Sequence, residues 1–353
     1  MKKNAAVTLG MVAEACRVST MTVSRALRED SPVRPETREL VRRTAEALGY
    51  IRTARQGRPP LANSLRRQVQ LILGSGGGEL SLFHLRLLTA LDKELSSQGF
   101  ECLIRCADGE WTGFMRLVER VKRDPSAAVM LGIFLPEQLT ALLGAASGAV
   151  LVDGRVPESV SAPCSDFSFD DRRAGYLGAE HLLRMGRKKI LVLAGPEGNS
   201  FSDEFRRGAA DALLRERGEV PPETLRPRTG FAAADAAAAV RAALDGKVEF
   251  DAVLTTDEMA TGVYRVFCER GIRIPEEIAV CGCDDLPVGE QLYPELTTIS
   301  LDCRELAACV AAHLVSGRSR TLFVRTKLPP KLRIRSSSGA GPLPARRGTS
   351  TER

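Results

Sequence analysis

Histidine is scarce in this chain: 353 residues hold only His84, His181 and His313. Its nine cysteines are scattered, and the close pairs Cys102/Cys106 and Cys281/Cys283 lack the two-residue spacing of a zinc knuckle. No metal site is expected, and no cofactor. An odd number of dispersed thiols reads as reduced, mostly buried cysteines in a cytoplasmic protein. No apolar run approaches the ~18 to 20 residues that span a bilayer. In MKKNAAVTLGMVAEACRV, Glu14 and Arg17 interrupt any signal-peptide core, so no membrane partner is expected. Catalytic signatures are missing too. GSGGGE at 74–79 is not followed by Gly-Lys-Ser/Thr, and GPEGNSFSD at 195–203 lacks the G-x-S-x-G elbow. With no nucleophile, base and orienter set, an enzyme is not expected.

Charge, by contrast, is present and unevenly placed. Residues 1–68 hold 14 Lys and Arg against 6 Asp and Glu, and residues 331–353 hold 6 against 1. The stretch 69–330 carries the remaining 30 against 37, a net of −7 under an overall +6. A basic head on an acidic body points to a polyanion partner for the head alone.

That head begins VTLGMVAEACRVSTMTVSRAL, residues 7–27. Thr8 is placed to cap a helix whose inward face is Leu9, Val12, Ala13 and Cys16. Ser19 is placed to cap a second, with Val23, Ala26 and Leu27 inward. Two short helices around a joint of about three residues are a helix-turn-helix. A third starts at Pro35, where a missing N–H costs nothing, with Leu40, Val41, Ala45 and Leu48 inward and Gly49 ending it. The second helix shows Thr20, Met21, Thr22, Ser24, Arg25 and Arg28 outward, the positions that reach base edges in the major groove. Arg25 can pair bidentately with a guanine. Thr20 and Met21 offer apolar surface to a thymine methyl. The helix starts at Thr8 and Ser19 are expected to face phosphates.

With VRPETRELVRRTAEALGY following at 33–50, this stretch resembles the head of the lac-repressor family of bacterial transcription regulators. The resemblance is carried by Val7, Thr8, Val12, Ala13, Val18, Ser19, Thr22, Val23, Ser24, Arg25, Thr37, Arg38, Val41, Gly49 and Tyr50. Arg17 departs from it, standing where the family usually has Gly in the turn. The resemblance implies a hinge helix in the basic run that follows, one that enters the minor groove as a pair and wedges a leucine between base steps. Two registers compete. Ala54-Arg55-Gln56 lies at the usual distance from Tyr50, but Gly57, Pro59 and Pro60 would break a helix there. Pro60 to Arg66 starts with proline and keeps Leu61 and Leu65 on one face. The second is preferred, with Leu65 as the wedge.

From residue 69 the rhythm changes. VQLILG, FECLIRC, AAVMLGIFL, GAVLVDG, KKILVLAG, DAVLTTD and EIAVCGCDD alternate with helical stretches such as HLRLLTALDKELSSQGF. Buried strands alternating with helices specify parallel sheets covered on both faces, with ligands beyond the carboxyl ends of the strands. Two sheets fit the length. FDDRRAGYLGAEHLLRMGRKKILVLAGP, LTTISLD and LPPKLRIRSSS extend the resemblance to about residues 5–336. It implies a two-lobed core of the periplasmic-binding-protein type, with the chain crossing between lobes near 166–169, 294–298 and 316–320.

The resemblance also implies an effector cleft, at positions occupied here by Ser81, Phe83, His84, Phe205, Thr256, Asp257 and Asp284. Phe205 stands where the family has Arg, Thr256 where it has Asn, and Arg173 near a position sometimes acidic. Phe83 can stack on a ring or make a lobe-closing core contact; Trp111 can line the cleft or simply pack. Losing the Arg removes a fork of donors for a hydroxyl or carboxylate, so a neutral or cationic ligand with an apolar face is expected.

The expected organisation is therefore a small all-α helix-turn-helix head (1–51), a hinge or linker (52–68), a two-lobed α/β effector-binding and dimerisation core (69–335) and a disordered tail (336–353). The expected function is an effector-controlled repressor, cytoplasmic and nucleoid-associated. It would bind double-stranded operator DNA with an inverted repeat as a homodimer and answer to a small molecule of unknown identity. A two-lobed sensor acting mainly as an activator, or without a small-molecule effector, is the alternative.

Overall fold

The chain divides into two units, Met1–Ser64 and Leu65–Arg353. A computed structural model describes residues 9–26, 33–48, 67–75, 80–107, 110–146, 148–156, 164–220, 229–317, 319 and 321–339. Thr8, Leu27, Arg28, Gly49, Leu61 and Leu65, and with them the hinge register, lie outside the described residues.

The first unit contains α1 (Leu9–Cys16), α2 (Thr20–Ala26) and α3 (Pro35–Ala47). Val12, Ala13 and Cys16 meet Val23, Ala26, Val41 and Ala45 in a small apolar cluster. Arg17 turns the chain between α1 and α2 at φ 53°, and the Val18 N–H donates to the Ala13 carbonyl at 3.0 Å. The left-handed backbone costs a non-glycine residue about 1 kcal/mol, which the joint tolerates. Ser19 Oγ accepts from the Thr22 N–H at 3.0 Å, the expected cap. Leu40 and Leu48 are not inward: they are 50% and 38% exposed. Helices of seven and eight residues cover only a narrow stripe of α3, and Val41 and Ala45 fill it.

In the second unit, β1 (Arg67–Ser75), α4 (Leu82–Ser97), β2 (Phe100–Ala107), α5 (Trp111–Arg123), β3 (Ala127–Ile133), α6 (Pro136–Ala145), β4 (Val150–Val152) and β5 (Ser165–Phe169) build the first lobe. The second lobe follows with α7 (Asp171–Arg184), β6 (Ile190–Val192), α8 (Ser200–Arg217), α9 (Ala233–Asp245), β7 (Ala252–Leu254) and α10 (Asp257–Arg270). It is completed by β8 (Ala279–Cys283), α11 (Val288–Gln291) and β9 (Thr297–Ser300). Then α12 (Cys303–Val315) and β10 (Arg325–Leu328) return to the first lobe, and β11 (Lys331–Arg333) ends in the second.

The first sheet is parallel throughout, in the order β10-β5-β4-β3-β1-β2. The second runs β11-β9-β8-β7-β6, parallel except for β11. Side chains alternate across both. Leu71, Val129 and Val152 face the layer of α4 and α12, whereas Ile72, Met130 and Leu151 face α5 and α6. In the second lobe Ile190 and Ala252 face α7 and α8, and Leu191 and Val253 face α9 and α10. A sheet buried on both faces needs apolar residues at every position, which is why these strands read as continuous runs.

The crossings differ from those expected. The chain leaves the first lobe at Asp170, as anticipated, but returns at 301–302, after β9 has completed its place in the second sheet. It crosses again at 329–330, between β10 and β11. The tail also begins later. Ser336–Ser338 form a single 3-10 turn in the second lobe, with Ser337 Oγ donating to the Val280 carbonyl at 2.6 Å and Ser338 Oγ 2.8 Å from His181 Nε2. Buried hydroxyls bonded to backbone (Ser337) and to side chains (Ser338) make RSSS part of the fold.

Candidate functional site

On the head, α2 presents Thr20, Met21 and Arg25 to solvent, with Met21 62% exposed. Met21 and Arg25 stand one helical turn apart on this face, an apolar and a charged group presented together as a recognition helix requires. Ser19 and Thr22 pair their hydroxyls at 2.8 Å, so both face the helix entry.

In the core, the carboxyl ends of the strands in both lobes open onto a single cavity of about 270 Å³. From the first lobe, Ser81, Phe83 and His84 enter on the first turn of α4, Phe134 follows β3, and Asp153 follows β4. From the second, Asn199 and Phe201 enter at the start of α8, Thr256 and Glu258 at the start of α10, and Asp284 just past β8. Parallel strands place all their carboxyl ends, and so all the following helix starts, on one side.

Ser81 caps α4, its Oγ accepting from the His84 N–H at 3.3 Å and lying 2.8 Å from His84 Nδ1. His84 Nε2 is 3.3 Å from Asp153 Oδ2. The imidazole is therefore oriented from both sides. Asp153 and Asp284 hold φ of 56° and 113°, values that side-chain-bearing residues rarely adopt. The surrounding backbone imposes them: the Asp153 N–H donates to the Phe167 carbonyl at 2.9 Å and the Asp284 N–H to the Ile299 carbonyl at 2.8 Å. Burial, then the charges of Asp257, Asp153, Asp171 and Glu258, push the Asp284 carboxyl well above the usual carboxylate range. Asp171, on the first turn of α7, is raised by burial and by Asp153. Hydrogen bonds join the lobes beside the cavity: the Leu82 N–H donates to Glu258 Oε2 at 3.1 Å, and Arg86 donates to the Asp284 carbonyl at 3.1 Å and to the Asp285 carbonyl at 2.5 Å.

Two residues expected in the cleft are not on its wall. Phe205 is fully buried in the α7–α8 layer, its ring stacked 5.2 Å from Phe201, and Phe201 is the ring that reaches the cavity. One helical turn separates them, and only the first turn of α8 faces the opening. Asp257 is also fully buried. It accepts from Thr298 Oγ1 at 2.6 Å and from the Leu286 N–H at 2.7 Å, so it fastens β9 and the loop after β8. Burial raises it to about 7, although both hydrogen bonds pull the other way. Phe83 both lines the cavity and packs edge-on to Phe169 at 6.1 Å. Trp111 is 52% exposed and packs on Phe114, away from the cavity. Asp153, Glu258, Phe201 and Phe231 line it without having been singled out. Asp153 was foreshadowed by its position at the end of GAVLVDG. The two phenylalanines follow segments whose approach is set only by packing.

Residues 8–53 match the pattern of "Bacterial regulatory proteins, lacI family", and residues 179–338 that of "Periplasmic binding protein-like domain". The chain belongs to the lacI family. This lacI-family protein is a DNA-binding regulator of transcription. It is 28% identical to the HTH-type transcriptional regulator CelR of Thermobifida fusca over 353 residues, covering 96% of this chain and 100% of that one. It is 27% identical to the sucrose operon repressor of Escherichia coli, covering 93% and 98%. A solved transcriptional regulator CelR–cellobiose complex shares 27% identity at a TM-score of 0.68, covering 94% of this chain and 99% of that one. A lac repressor dimer bound to operator and the anti-inducer ONPF shares the fold, at 23% identity and a TM-score of 0.68, over 95% and 100%.

Proposed function

We propose that this lacI-family protein is a repressor that binds an inverted-repeat operator as a homodimer in the cytoplasm. A small-molecule effector in the inter-lobe cavity would release it, and the chain would have no catalytic activity. The observation that carries the reading is a cavity walled by both lobes in a chain that also bears an outward-facing recognition helix. A ligand touching both lobes can favour one lobe arrangement over the other, and differential affinity is what shifts such an equilibrium. The bonds from Leu82 to Glu258 and from Arg86 to Asp284 are contacts that such a rearrangement would break or make. The relatives named for sucrose and cellobiose support a polyhydroxylated effector class. Dimerisation is supported by β2, an edge strand of the first sheet that exposes Leu103 and Ile104 at 39% and 50%.

The test is made at Arg25. Arg25→Ala is expected to weaken binding to the operator by about 1 to 3 kcal/mol, with much less effect on random DNA. Titrations of both DNAs at two salt concentrations separate base reading from phosphate contact. Equal losses on the two would show that Arg25 meets only phosphate.

A further inference from the structure

The inter-lobe cavity is acidic beyond what its walls can neutralise. Asp153, Asp284 and Glu258 line it, and Asp171 and Asp257 stand close enough to raise the Asp284 carboxyl. Against them, among the described residues, the lining offers one permanent cation, Arg155, and His84. Two nearby guanidiniums, those of Arg86 and Arg206, are engaged elsewhere. Arg86 donates to the backbone carbonyls of Asp284 and Asp285, and Arg206 to the Gly195 carbonyl and Asp203.

Asp284 is the pivotal group. It is 6% exposed and lines the cavity, and its main chain is bonded on both sides. Its carboxylate accepts no hydrogen bond from any described residue. Left without a partner, this buried carboxyl keeps its proton, and a donor that also carries positive charge relieves both the missing bond and the lack of a countercharge, so that it ionises. A neutral hydroxyl relieves only the first. Around this acidic side, Phe83, Phe134, Phe201 and Phe231 supply flat apolar surface, while Asn199, Ser200 and Thr256 supply polar partners.

We propose that the effector of this cavity is an amino sugar, with its protonated amine at the Asp284 carboxylate, in the field of Asp153 and Glu258, and its ring against the phenyl groups. This rests on the reading of the cavity as the effector site.

Isothermal titration of the full chain with glucosamine, galactosamine and mannosamine tests it, each beside its neutral parent sugar and its N-acetyl derivative. At least one amino sugar is expected to bind about tenfold or more tightly than its parent. N-acetylation, which removes the charge, should abolish that advantage. Asp284→Asn should cut the preference to under about threefold, and Asp153→Asn should reduce it in a chain whose Asp284 is intact, thermal melts confirming that each variant folds. The preferred amino sugar should also lower operator affinity. Equal or tighter binding of the parent sugar would overturn the amine assignment while leaving the cavity an effector site. So would a preference unchanged in both variants, or no binding by any of the three amino sugars. The effector reading falls separately if ligands that do occupy the cavity leave operator affinity unaltered.

Discussion

Asp284, Asp171 and Asp257 hold protons in the folded chain at a pH where the unfolded chain has released them. Asp257 moves from 3.8 to about 7, chiefly by burial, and the other two are raised by burial and by one another's neighbours. A carboxyl raised on folding favours the folded state at low pH, and that advantage is lost as pH climbs through the folded value. From pH about 4 upward these three groups therefore make stability fall as pH rises, Asp257 through about 7. The exposed ion-paired carboxylates of Glu249, Glu269 and Glu277 are lowered and act the opposite way, but in the more acidic range below about 4.5. Asp284→Asn removes one titrating group and part of the repulsion. Urea midpoints at pH 5 and 7.5 should show a shallower pH slope and a gain on the order of 1 kcal/mol at pH 7.5. An unaltered slope would mean that Asp284 does not carry the effect.

Between elements, α7 and α8 approach backbone to backbone. A Cβ at Gly175 would lie 2.0 Å from the Phe205 carbonyl oxygen, and one at Gly208 would lie 1.8 Å from the Arg172 carbonyl oxygen. Glycine is required because backbone, which cannot swing aside, stands opposite. Gly175→Ala should cost about 1 to 3 kcal/mol and lower the melting temperature by several degrees. Gly144, in α6, meets nothing within 4 Å, so Gly144→Ala should leave the melting temperature unchanged or raise it by the helix preference of alanine, roughly 0.5 to 1 kcal/mol. Calorimetry of the two variants side by side separates crowding from propensity. The same packing explains the fate of Phe205: a residue held on the α7 side of α8 belongs to the layer beneath the cavity.

In the proposed dimer, two heads reading two half-sites require two chains in register. Edge strand β2 is the surface we assign to that contact, and Ile104→Asp puts an unpaired charge in its centre. Sedimentation should show the dimer dissociating at protein concentrations at least about tenfold higher than wild type. Binding to an inverted repeat should then lose its advantage over a single half-site. A variant that remains dimeric would move the interface away from β2.

Periodicity alone determined the three head helices, the parallel α/β core and the outward face of α2, because each follows from side-chain spacing within one segment. Val12, Ala13 and Cys16 lie at helical spacing; VMLGI, ILV and AVL are uniformly apolar because both of their faces are covered. The short strand SDFSF, β5, escaped notice because its polar residues are stabilised by partners far along the chain: Ser165 Oγ by His313 Nε2 at 3.0 Å, and Asp166 by Arg325 at 2.8 Å. Asp284, in GCDD, was identifiable through the family resemblance. That its carboxyl would stand unpartnered among Asp153 and Glu258, while Asp257 after the neighbouring strand was consumed by Thr298 and Leu286, was decided by tertiary structure. Local pattern specifies which way a side chain leaves its own helix or strand. Which other segment meets it there depends on the packing of two lobes joined by three crossings, and no single segment contains that information.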